Sequence, residues 1–282
     1  MMMKKLFAAL MAMTMTLSLA ACSSSTTEAT TTTESTAAET TTEAAAATDM
    51  EYVVDNGVLV VGITNFEPMD YPDANGEWIG FDADMARGFA DYLGVDIEFV
   101  EIEWSNKILE LNAKTIDCVW NGMTLTEEVM SAMGTSNAYC NNAQVVVMKA
   151  DTAAKYDEPM AEADFFAFAA EDGSAGDAEL SALGYNVTLV QDQATALMEV
   201  AAGTADACAI DLLMAGAMIG EGTSYADMVM VGTLNSEEYG VGFRTDSDLV
   251  DAINAFFSEA YADGSMMEIA ETYGVDASIL AQ

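Results

Sequence analysis

The sequence contains no histidine, and only eight lysine and arginine residues stand against 47 aspartate and glutamate residues. Without histidine the chain lacks the commonest general base, the central residue of a Ser–His–Asp triad and a frequent zinc ligand. The formal net charge of −39 at pH 7 repels nucleic acids and anionic membrane surfaces. We therefore expect no nucleic-acid partner and no bound metal.

The short motifs that mark nucleotide, calcium and ester chemistry are missing too. We find no P-loop, no G-x-G-x-x-G, no EF-hand loop and no nucleophile elbow, and we expect no cofactor. The chain does have length and apolar content. Its 282 residues, 52% of them hydrophobic, can bury a large core in one or two domains.

Residues 1–22 have the pattern of a leader. Lys4 and Lys5 precede an apolar run at 6–21, which is shorter than the roughly 20 residues of a comfortable membrane span. The run ends in Leu-Ala-Ala-Cys, which is similar to a bacterial lipobox. We expect lipidation of Cys22 and removal of everything before it, with an ordinary secretory signal and a chance cysteine as the alternative.

Residues 23–50 are predicted to be a disordered tether. Up to Asp49 the segment is Ser, Thr, Ala and Glu without a large apolar residue, so it cannot bury enough surface to offset the entropy of ordering. A lipid anchor followed by a flexible segment would hold a folded domain at the outer face of the cytoplasmic membrane. The lipid would be the chain's only contact with that membrane.

The folded part opens with a strand, a helix and a second strand. The run Val58–Ile63 is continuously apolar, as expected for a strand buried on both faces. Apolar residues then recur every fourth position in a helix that Asp82 would cap at its start and Gly94 at its end. A strand at 97–102 follows. This order predicts a right-handed crossover and a largely parallel sheet.

Polar groups are concentrated after the next predicted strand. A buried strand at 116–120 is followed by a break at 121–124 (Asn-Gly-Met-Thr), and a new helix starts after Thr126, a favourable N-cap. Backbone donors and polar side chains therefore lie at the carboxyl end of a strand. Small ligands bind at such positions in open α/β sheets.

A second α/β unit follows, and part of it repeats the first. Segments 114–118 and 203–208 both run from helix through turn to strand, and the two strands deliver Asn121 and Asp211 at their carboxyl ends. Two such units facing each other would place both side chains in one cleft. A strand at 239–243 and two helices close the chain.

Several segments together resemble the family 3 extracellular solute-binding proteins, the amino-acid receptors of bacterial ABC importers. The segments are GITNFEPMDY, GEWIGFDADMA, the stretch 110–139, EDGSAG, GTADACAID and EEYGVGFR. The resemblance implies an α/β fold like that of type II periplasmic binding proteins, with two lobes joined by two hinge strands. The first lobe would comprise 51–145 and 240–282, and the second 146–239. It also implies a monomer that captures an amino acid or similar small polar solute and delivers it to an ABC permease.

The resemblance assigns five ligand-contacting residues to the first lobe. Phe66 matches an aromatic residue that covers the ligand, and Lys107 matches a position on the pocket floor. Asn121, Gly122 and Thr124 match positions that hold the α-amino and α-carboxylate groups. From the residues alone, Phe66 could equally be a core side chain.

Three more ligand contacts are implied in the second lobe. Ser174 and Ala175 match a turn at a helix start that donates to the carboxylate, and Asp211 matches the acid that pairs with the α-ammonium. A zwitterion taken out of water needs both charges compensated, and helix-start amides can supply the positive partner. The alternative for Asp211 is a helix N-cap.

One departure from the family pattern affects the expected ligand. Val129 stands where the family has the arginine that grips the ligand carboxylate, which removes a strong bidentate contact. Lys107 could take over as a point charge, which we favour. Otherwise the ligand is a cation without a carboxylate, held by Asp211 with Glu171 or Asp172, or the pocket binds amino acids weakly.

Other functions on this fold stay open at the sequence level. We expect a binding protein rather than an enzyme, but a few dehydratases share the fold, such as cyclohexadienyl or arogenate dehydratase. A degenerate surface protein that binds nothing is a further possibility. Cys118, Cys140 and Cys208 remain beside the lipobox cysteine, and sequence does not decide whether two of them form a disulfide.

Overall fold

The computed structural model describes residues 47–282, so the predicted leader, the lipidation at Cys22 and most of the tether lie outside the described residues. Within 47–282, every helix is too short or too polar to span a lipid bilayer.

Strands and helices alternate along the described chain. The strands are β1 (Val58–Ile63), β2 (Tyr71–Pro72), β3 (Trp78–Ile79), β4 (Asp96–Glu101), β5 (Cys118–Thr124), β6 (Gly134–Thr135), β7 (Cys140–Asn142), β8 (Gln144–Lys149), β9 (Ala167–Glu171), β10 (Asn186–Val190), β11 (Ala207–Asp211), β12 (Met228–Thr233) and β13 (Glu237–Phe243). The α-helices are α1 (Asp49–Asn56), α2 (Phe81–Leu93), α3 (Lys107–Ala113), α4 (Glu127–Ala132), α5 (Ala150–Ala153), α6 (Ala175–Ala182), α7 (Gln193–Ala202), α8 (Leu212–Met218), α9 (Leu249–Asp263) and α10 (Ser265–Tyr273). Short 3-10 helices lie at Trp104–Asn106, Pro159–Phe165 and Asp276–Ser278.

The first sheet has the order β4-β1-β5-β13-β6, with β7 paired to β13. Strand β1 is parallel to both β4 and β5, which confirms the predicted parallel pairing of the strands on either side of α2. Strand β13 returns late in the sequence and lies antiparallel to β5, β6 and β7. We call this sheet and the helices packed on it the first lobe.

The second sheet has the order β10-β9-β11-β8-β12. Strand β9 is parallel to β10 and to the central strand β11, whereas β8 is antiparallel to β11 and β12. We call this sheet and its helices the second lobe. The chain enters it between Asn142 and Gln144 and leaves it between Thr233 and Glu237. The predicted α/β fold of two lobes is therefore confirmed.

An aromatic cluster fixes β5 in the first lobe. The buried indole of Trp120 lies between Phe89 of α2 and Phe257 of α9, at ring-centroid distances of 6.3 and 5.6 Å. Such pairs add about 0.5–1.5 kcal/mol each beyond the burial of their apolar area. The residue after Trp120 is therefore held in place at the edge of the core.

Two local expectations in the first lobe are wrong. The chain does not break at 121–124, because β5 continues to Thr124 and pairs there with Tyr239 of β13. Asp82 does not cap α2, whose N-cap position is Gly80. Asp82 instead lies inside the helix, fully buried, and accepts a hydrogen bond from the hydroxyl of Tyr139 at 2.8 Å.

Helical structure is already present before residue 51, inside the segment predicted to be a tether. Thr48 and Glu51 form a capping box at the start of α1, in which each side chain accepts from the other residue's amide. Asp49 is ion-paired with Arg244, the residue after β13, at 2.9 Å. The predicted tether 23–50 is thus too long at its end, since Asp49 and Met50 are helical and packed on the first lobe.

Candidate functional site

A cavity of about 270 Å³ lies between the two lobes. This volume suits one small solute, since pockets for drug-sized ligands start near 300 Å³. Its first-lobe lining is Trp104, Lys107, Ile108, Asn121, Gly122, Met123, Thr124, Thr126, Glu127, Glu128 and Val129. Its second-lobe lining is Gln144, Glu171, Gly173, Ser174, Ala175, Ala178, Gln193 and Asp211. Seven of the eight predicted site residues are therefore brought together here.

The second lobe delivers its acids to the cavity by topology. Glu171 is the last residue of β9 and Asp211 is the last of β11, and parallel strands end at the same edge of a sheet. Gln144 opens β8 directly opposite Asp211 in the antiparallel register. Two carboxyls and an amide therefore share one edge.

Asp211 is buried, with 3% of its surface exposed, and four side chains donate to its carboxylate. Gln144 Nε2 donates to Oδ1 at 3.0 Å, the amide of Asn142 and the hydroxyl of Tyr239 donate to the same oxygen, and Gln193 donates to Oδ2. Asp211 occupies the N-cap position of α8, yet its side chain caps nothing there. The helix-cap alternative is thus excluded for the carboxylate.

The surroundings of Asp211 shift its titration. Burial, reinforced by the nearby carboxylate of Glu237, raises its pKa from 3.8 to about 7, although the hydrogen bonds from Tyr239, Gln193 and Gln144 lower it. The carboxyl of Asp211 therefore changes its charge near neutral pH. A cationic group in the cavity would favour the ionised form.

Glu171 is the second buried acid of the cavity, with 2% of its surface exposed. Its Oε1 accepts no hydrogen bond from the described part of the protein. Burial first and the Asp211 carboxylate second raise its pKa from 4.5 to about 8, against the lowering effects of the Thr64 hydroxyl and the Lys107 ammonium. This carboxyl is therefore the least compensated polar group in the lining.

Lys107 is the only basic residue in the lining described above, and it bridges the lobes. Its Nζ donates to the carbonyl of Trp104 at 3.3 Å and to the carbonyl of Gly173, in the second lobe, at 3.1 Å. The ammonium lies 4.8 Å from the centroid of the Trp104 ring. Burial lowers the pKa of Lys107, while the charge of Glu171 opposes this effect most strongly. Two of its three donors are already used.

The Asn-Gly-Met-Thr segment lines the cavity, but its polar side chains are largely engaged within the protein. Asn121 Nδ2 donates to the hydroxyl of Thr64 at 2.8 Å, and its Oδ1 accepts from the Thr64 amide at 3.0 Å. The hydroxyl of Thr124 donates to Glu237 Oε1 at 3.0 Å. These bonds fix the shape of the first-lobe wall.

Gly122 owes its conformation to the core behind it. It has φ of +55°, and its amide donates to Asp82 Oδ2 at 2.6 Å, so that amide points away from a ligand. A Cβ at this position would lie 2.4 Å from the Phe66 ring and 3.1 Å from the Tyr239 ring. Only glycine fits between these side chains.

Phe66 is the predicted site residue that does not line the cavity. Its ring is 1% exposed and packs edge-on against Tyr239, with 6.3 Å between the centroids. It lies behind Gly122 rather than over a ligand. The structure therefore places Phe66 in the core, which was the alternative to a ligand contact.

Ser174 and Ala175 lie at the start of α6, beside the cavity. Ser174 is the N-cap, and its hydroxyl accepts from the amide of Asp177 at 3.1 Å. The amides of the first helical turn otherwise have no acceptor within the helix. This turn can donate to a negatively charged ligand group, and it is the second-lobe feature that the resemblance assigned to a carboxylate.

The side chain of Val129 presents an apolar surface where the family pattern has arginine. It is 5% exposed and lines the cavity. The two arginines of the described chain are held elsewhere: Arg87 by Asp84 and Arg244 by Asp49 and Asp117. Among residues 47–282, no guanidinium lines the cavity.

Sequence reasoning missed several lining residues, among them Trp104, Gln144 and Gln193. Trp104 lies three residues before Lys107 and was hidden in a short 3-10 helix. Gln144 and Gln193 open a strand and a helix, where a glutamine is unremarkable from sequence alone. The pairing of Gln144 with Asp211 depends on how β8 and β11 meet in the folded protein, and the sequence near either residue does not indicate it.

Within residues 47–282 the cysteines form no disulfide. Cys118, Cys140 and Cys208 are all buried and free. Burial raises the pKa of each thiol, which disfavours the reactive thiolate.

The geometry agrees with what the chain resembles in sequence. Residues 59–276 match the bacterial extracellular solute-binding proteins, family 3. This chain belongs to that family. This chain is 27% identical over 220 residues to a curated relative, the L-arginine-binding protein of Pseudomonas aeruginosa. The match covers 74% of this chain and 84% of that protein. The solute-binding protein is 24% identical over 228 residues to the L-cystine-binding protein TcyJ of Escherichia coli, covering 79% and 85%.

Solved structures agree on the fold of this solute-binding protein. A variant of ArgBP from T. maritima is 30% identical with a TM-score of 0.73, and the match covers 80% of this chain and 98% of that one. The ancestral amino-acid-binding protein AncCDT-1, a precursor of cyclohexadienyl dehydratase, is 26% identical with a TM-score of 0.71, over 79% and 98%. The family and fold expectations are both confirmed.

Proposed function

We propose that this solute-binding protein captures an amino acid or similar small polar solute between its lobes and delivers it to an ABC permease. The observation that carries the proposal is Asp211, a carboxyl buried in a cavity that both lobes line. The arginine and cystine specificities of the relatives are consistent with a ligand of this size and class.

The cavity offers a partner for each charge of an amino acid. Asp211 can accept an ammonium, since its carboxylate is oriented by neutral donors such as Gln144 and carries no protein cation. The first turn of α6 after Ser174 and the remaining donor of Lys107 can receive a carboxylate. Both charges of a zwitterion are thus compensated, as their removal from water requires.

Closure of the lobes around the solute follows from the same contacts. Lys107 of the first lobe donates to Gly173 of the second, and Gly173 approaches Ser105 so closely that a Cβ would lie 2.9 Å from its Cα. These contacts exist only while the lobes are together. A hinged trap of this kind presents a closed, loaded form to its permease.

The N-terminal segment supports the location that we propose. Lipid attached to Cys22 would retain the protein at the outer face of the cytoplasmic membrane, close to the permease. Substitution of Cys22 by Ser should release the protein from the membrane fraction into the medium or periplasm. Retention of the Cys22→Ser variant in the membrane fraction would contradict the lipid anchor but not the binding function.

The binding function is tested by a thermal-shift screen of the purified protein against amino acids, polyamines and short organic acids, followed by calorimetry on the hits. A ligand at a hundredfold excess over its dissociation constant stabilises the folded state by about 2.7 kcal/mol. We expect stabilisation by one chemical class and no turnover. Product formation from a prephenate-like or arogenate-like substrate would instead indicate a dehydratase, and no stabilisation by any solute would contradict the proposal.

A further inference from the structure

One polar atom in the cavity is left without a hydrogen bond. Among the lining residues, Oε1 of Glu171 is the buried side-chain atom to which no described residue donates. A buried acceptor without a donor is destabilising, and more so when it is charged. Burial of this carboxyl in the cavity is therefore unfavourable unless a ligand donates to it.

The contrast with Asp211 shows which acid depends on a ligand. Asp211 receives four side-chain donors, from Asn142, Gln144, Gln193 and Tyr239. Its carboxylate is therefore oriented by the protein before any solute enters, and Oδ2, to which Gln193 alone of these four donates, can still accept an ammonium. Glu171, at the end of the neighbouring strand β9, has no comparable set of donors.

Lys107, the basic residue of the cavity lining, forms no ion pair with Glu171 within residues 47–282. The Lys107 ammonium donates instead to the carbonyls of Trp104 and Gly173. Two buried carboxyls, Glu171 and Asp211, therefore face a cavity that contains one engaged ammonium and the apolar Val129. The charge balance of the buried lining favours a positively charged guest.

We propose that Glu171 binds a cationic nitrogen of the ligand and that, together with Asp211, it makes the cavity selective for solutes with two cationic groups. This inference rests on the proposed function of capturing a small polar solute. The shared chemistry is a pair of cationic nitrogens on one small molecule, whether a diamine or an amino acid with a cationic side chain. The carboxylate of an amino acid would lie against the first turn of α6.

The test compares wild-type protein with Glu171→Gln, which removes the charge and keeps the shape of the side chain. The probes are L-ornithine, 1,4-diaminobutane and L-norvaline, the last being ornithine without its terminal ammonium. We expect calorimetry to show that wild type binds a dicationic probe on the order of 100-fold tighter than L-norvaline. Glu171→Gln should lose this preference, and Glu171→Asp should retain part of it.

Glu221→Gln is the matched control, because it makes the same substitution at an exposed glutamate of the second lobe that lies outside the cavity lining. We expect it to change affinity by less than about threefold. Preferential binding of 1,4-diaminobutane would identify the ligand as a diamine, and that of L-ornithine as an amino acid. Both results support the role of Glu171.

Two results would overturn the role of Glu171 while leaving the proposed function intact. They are equal affinity of wild type and Glu171→Gln for the dicationic probes, and tight wild-type binding of neutral amino acids only. If neither the dicationic probes nor any solute of the screen bound, the proposed function would fail together with this inference. Circular dichroism and thermal unfolding of Glu171→Gln establish that the variant is folded.

Discussion

The ammonium of Lys107, in the first lobe, donates to the backbone carbonyl of Gly173, in the second, over 3.1 Å. Hydrogen bonds that involve a charged group contribute about 1.5–3 kcal/mol. Lys107→Ala removes this link between the lobes together with the donor that could reach a ligand carboxylate. We expect it to abolish amino-acid binding as measured by calorimetry.

Lys155→Ala is the control for this variant, because Lys155 is an exposed lysine of the second lobe. It should bind as wild type does. Unchanged affinity in Lys107→Ala would remove Lys107 from the site, and would also show that the bond to Gly173 does not contribute to closure.

Replacement of Asp211 by Asn tests the acid that carries the proposed function. The amide removes the negative charge and turns one acceptor into a donor that faces the amide of Gln193. We expect binding to weaken on the order of 100-fold and the free energy of unfolding to fall by about 1–2 kcal/mol. Calorimetry and urea denaturation measure the two effects separately.

Asp227→Asn provides the comparison, since Asp227 is exposed in the same lobe. It should change neither quantity measurably. Wild-type affinity in Asp211→Asn would mean that Asp211 does not hold the ligand.

The two buried acids predict how the stability of the ligand-free protein depends on pH. The pKa of Asp211 is raised from 3.8 to about 7 and that of Glu171 from 4.5 to about 8. Between the ordinary and the raised values the folded state binds more protons than the unfolded state, so stability is full below pH 4 and is lost as pH rises through 7–8. Asp82, whose pKa is also raised to about 7, acts in the same direction.

Thermal unfolding of the ligand-free protein between pH 5 and 8 at constant ionic strength measures this effect. We expect the melting temperature to fall with rising pH, and the fall to be shallower in Glu171→Gln. A flat or rising profile in wild type would contradict the raised pKa values. Affinity for a cationic ligand should change in the opposite sense and increase with pH, because the ligand favours both ionised carboxylates.

Gly122→Ala tests whether the core side chain Phe66 fixes the position of the cavity wall at Gly122. The new methyl group would lie 2.4 Å from the Phe66 ring at a residue with φ of +55°. We expect a loss of at least about 2 kcal/mol in the free energy of unfolding, together with loss of ligand binding.

Gly216→Ala is the matched control for the glycine substitution. Gly216 lies in α8, with no other atom within 4 Å of the position of the new methyl group. Alanine there should stabilise the protein by about 0.5–1 kcal/mol. Urea denaturation compares both variants, and equal stability of the two would mean that Phe66 does not confine Gly122.

The sequence was sufficient for the fold because the relevant patterns are local. The apolar run of β1 predicts a buried strand, and its six residues are buried or half-buried between β4 and β5. The strands that carry Asn121 and Asp211 place both residues beside one cavity, although β5 runs on to Thr124. The presence and order of these strands are local signals, whereas their exact ends are not.

Contacts between residues far apart in the chain could not be predicted from the sequence. Asp82 looks like a helix cap because it is an acid in a first turn, yet its partner is the amide of Gly122, 40 residues away. Whether Phe66 covers a ligand or fills the core depends on Gly122 and Tyr239, which enclose it. Likewise, Glu171 belongs to the cavity only because β9 lies beside β11.

The ion pair between Asp49 and Arg244 determines where a pull on the N-terminal segment would act. Such a force would enter through α1 and be carried by the first lobe, through Arg244 and its second partner Asp117. Within residues 47–282 the second lobe is joined to the first by two chain crossings and would bear none of this load. We therefore expect a change in the angle between the lobes to leave the attachment of α1 to the first lobe unchanged.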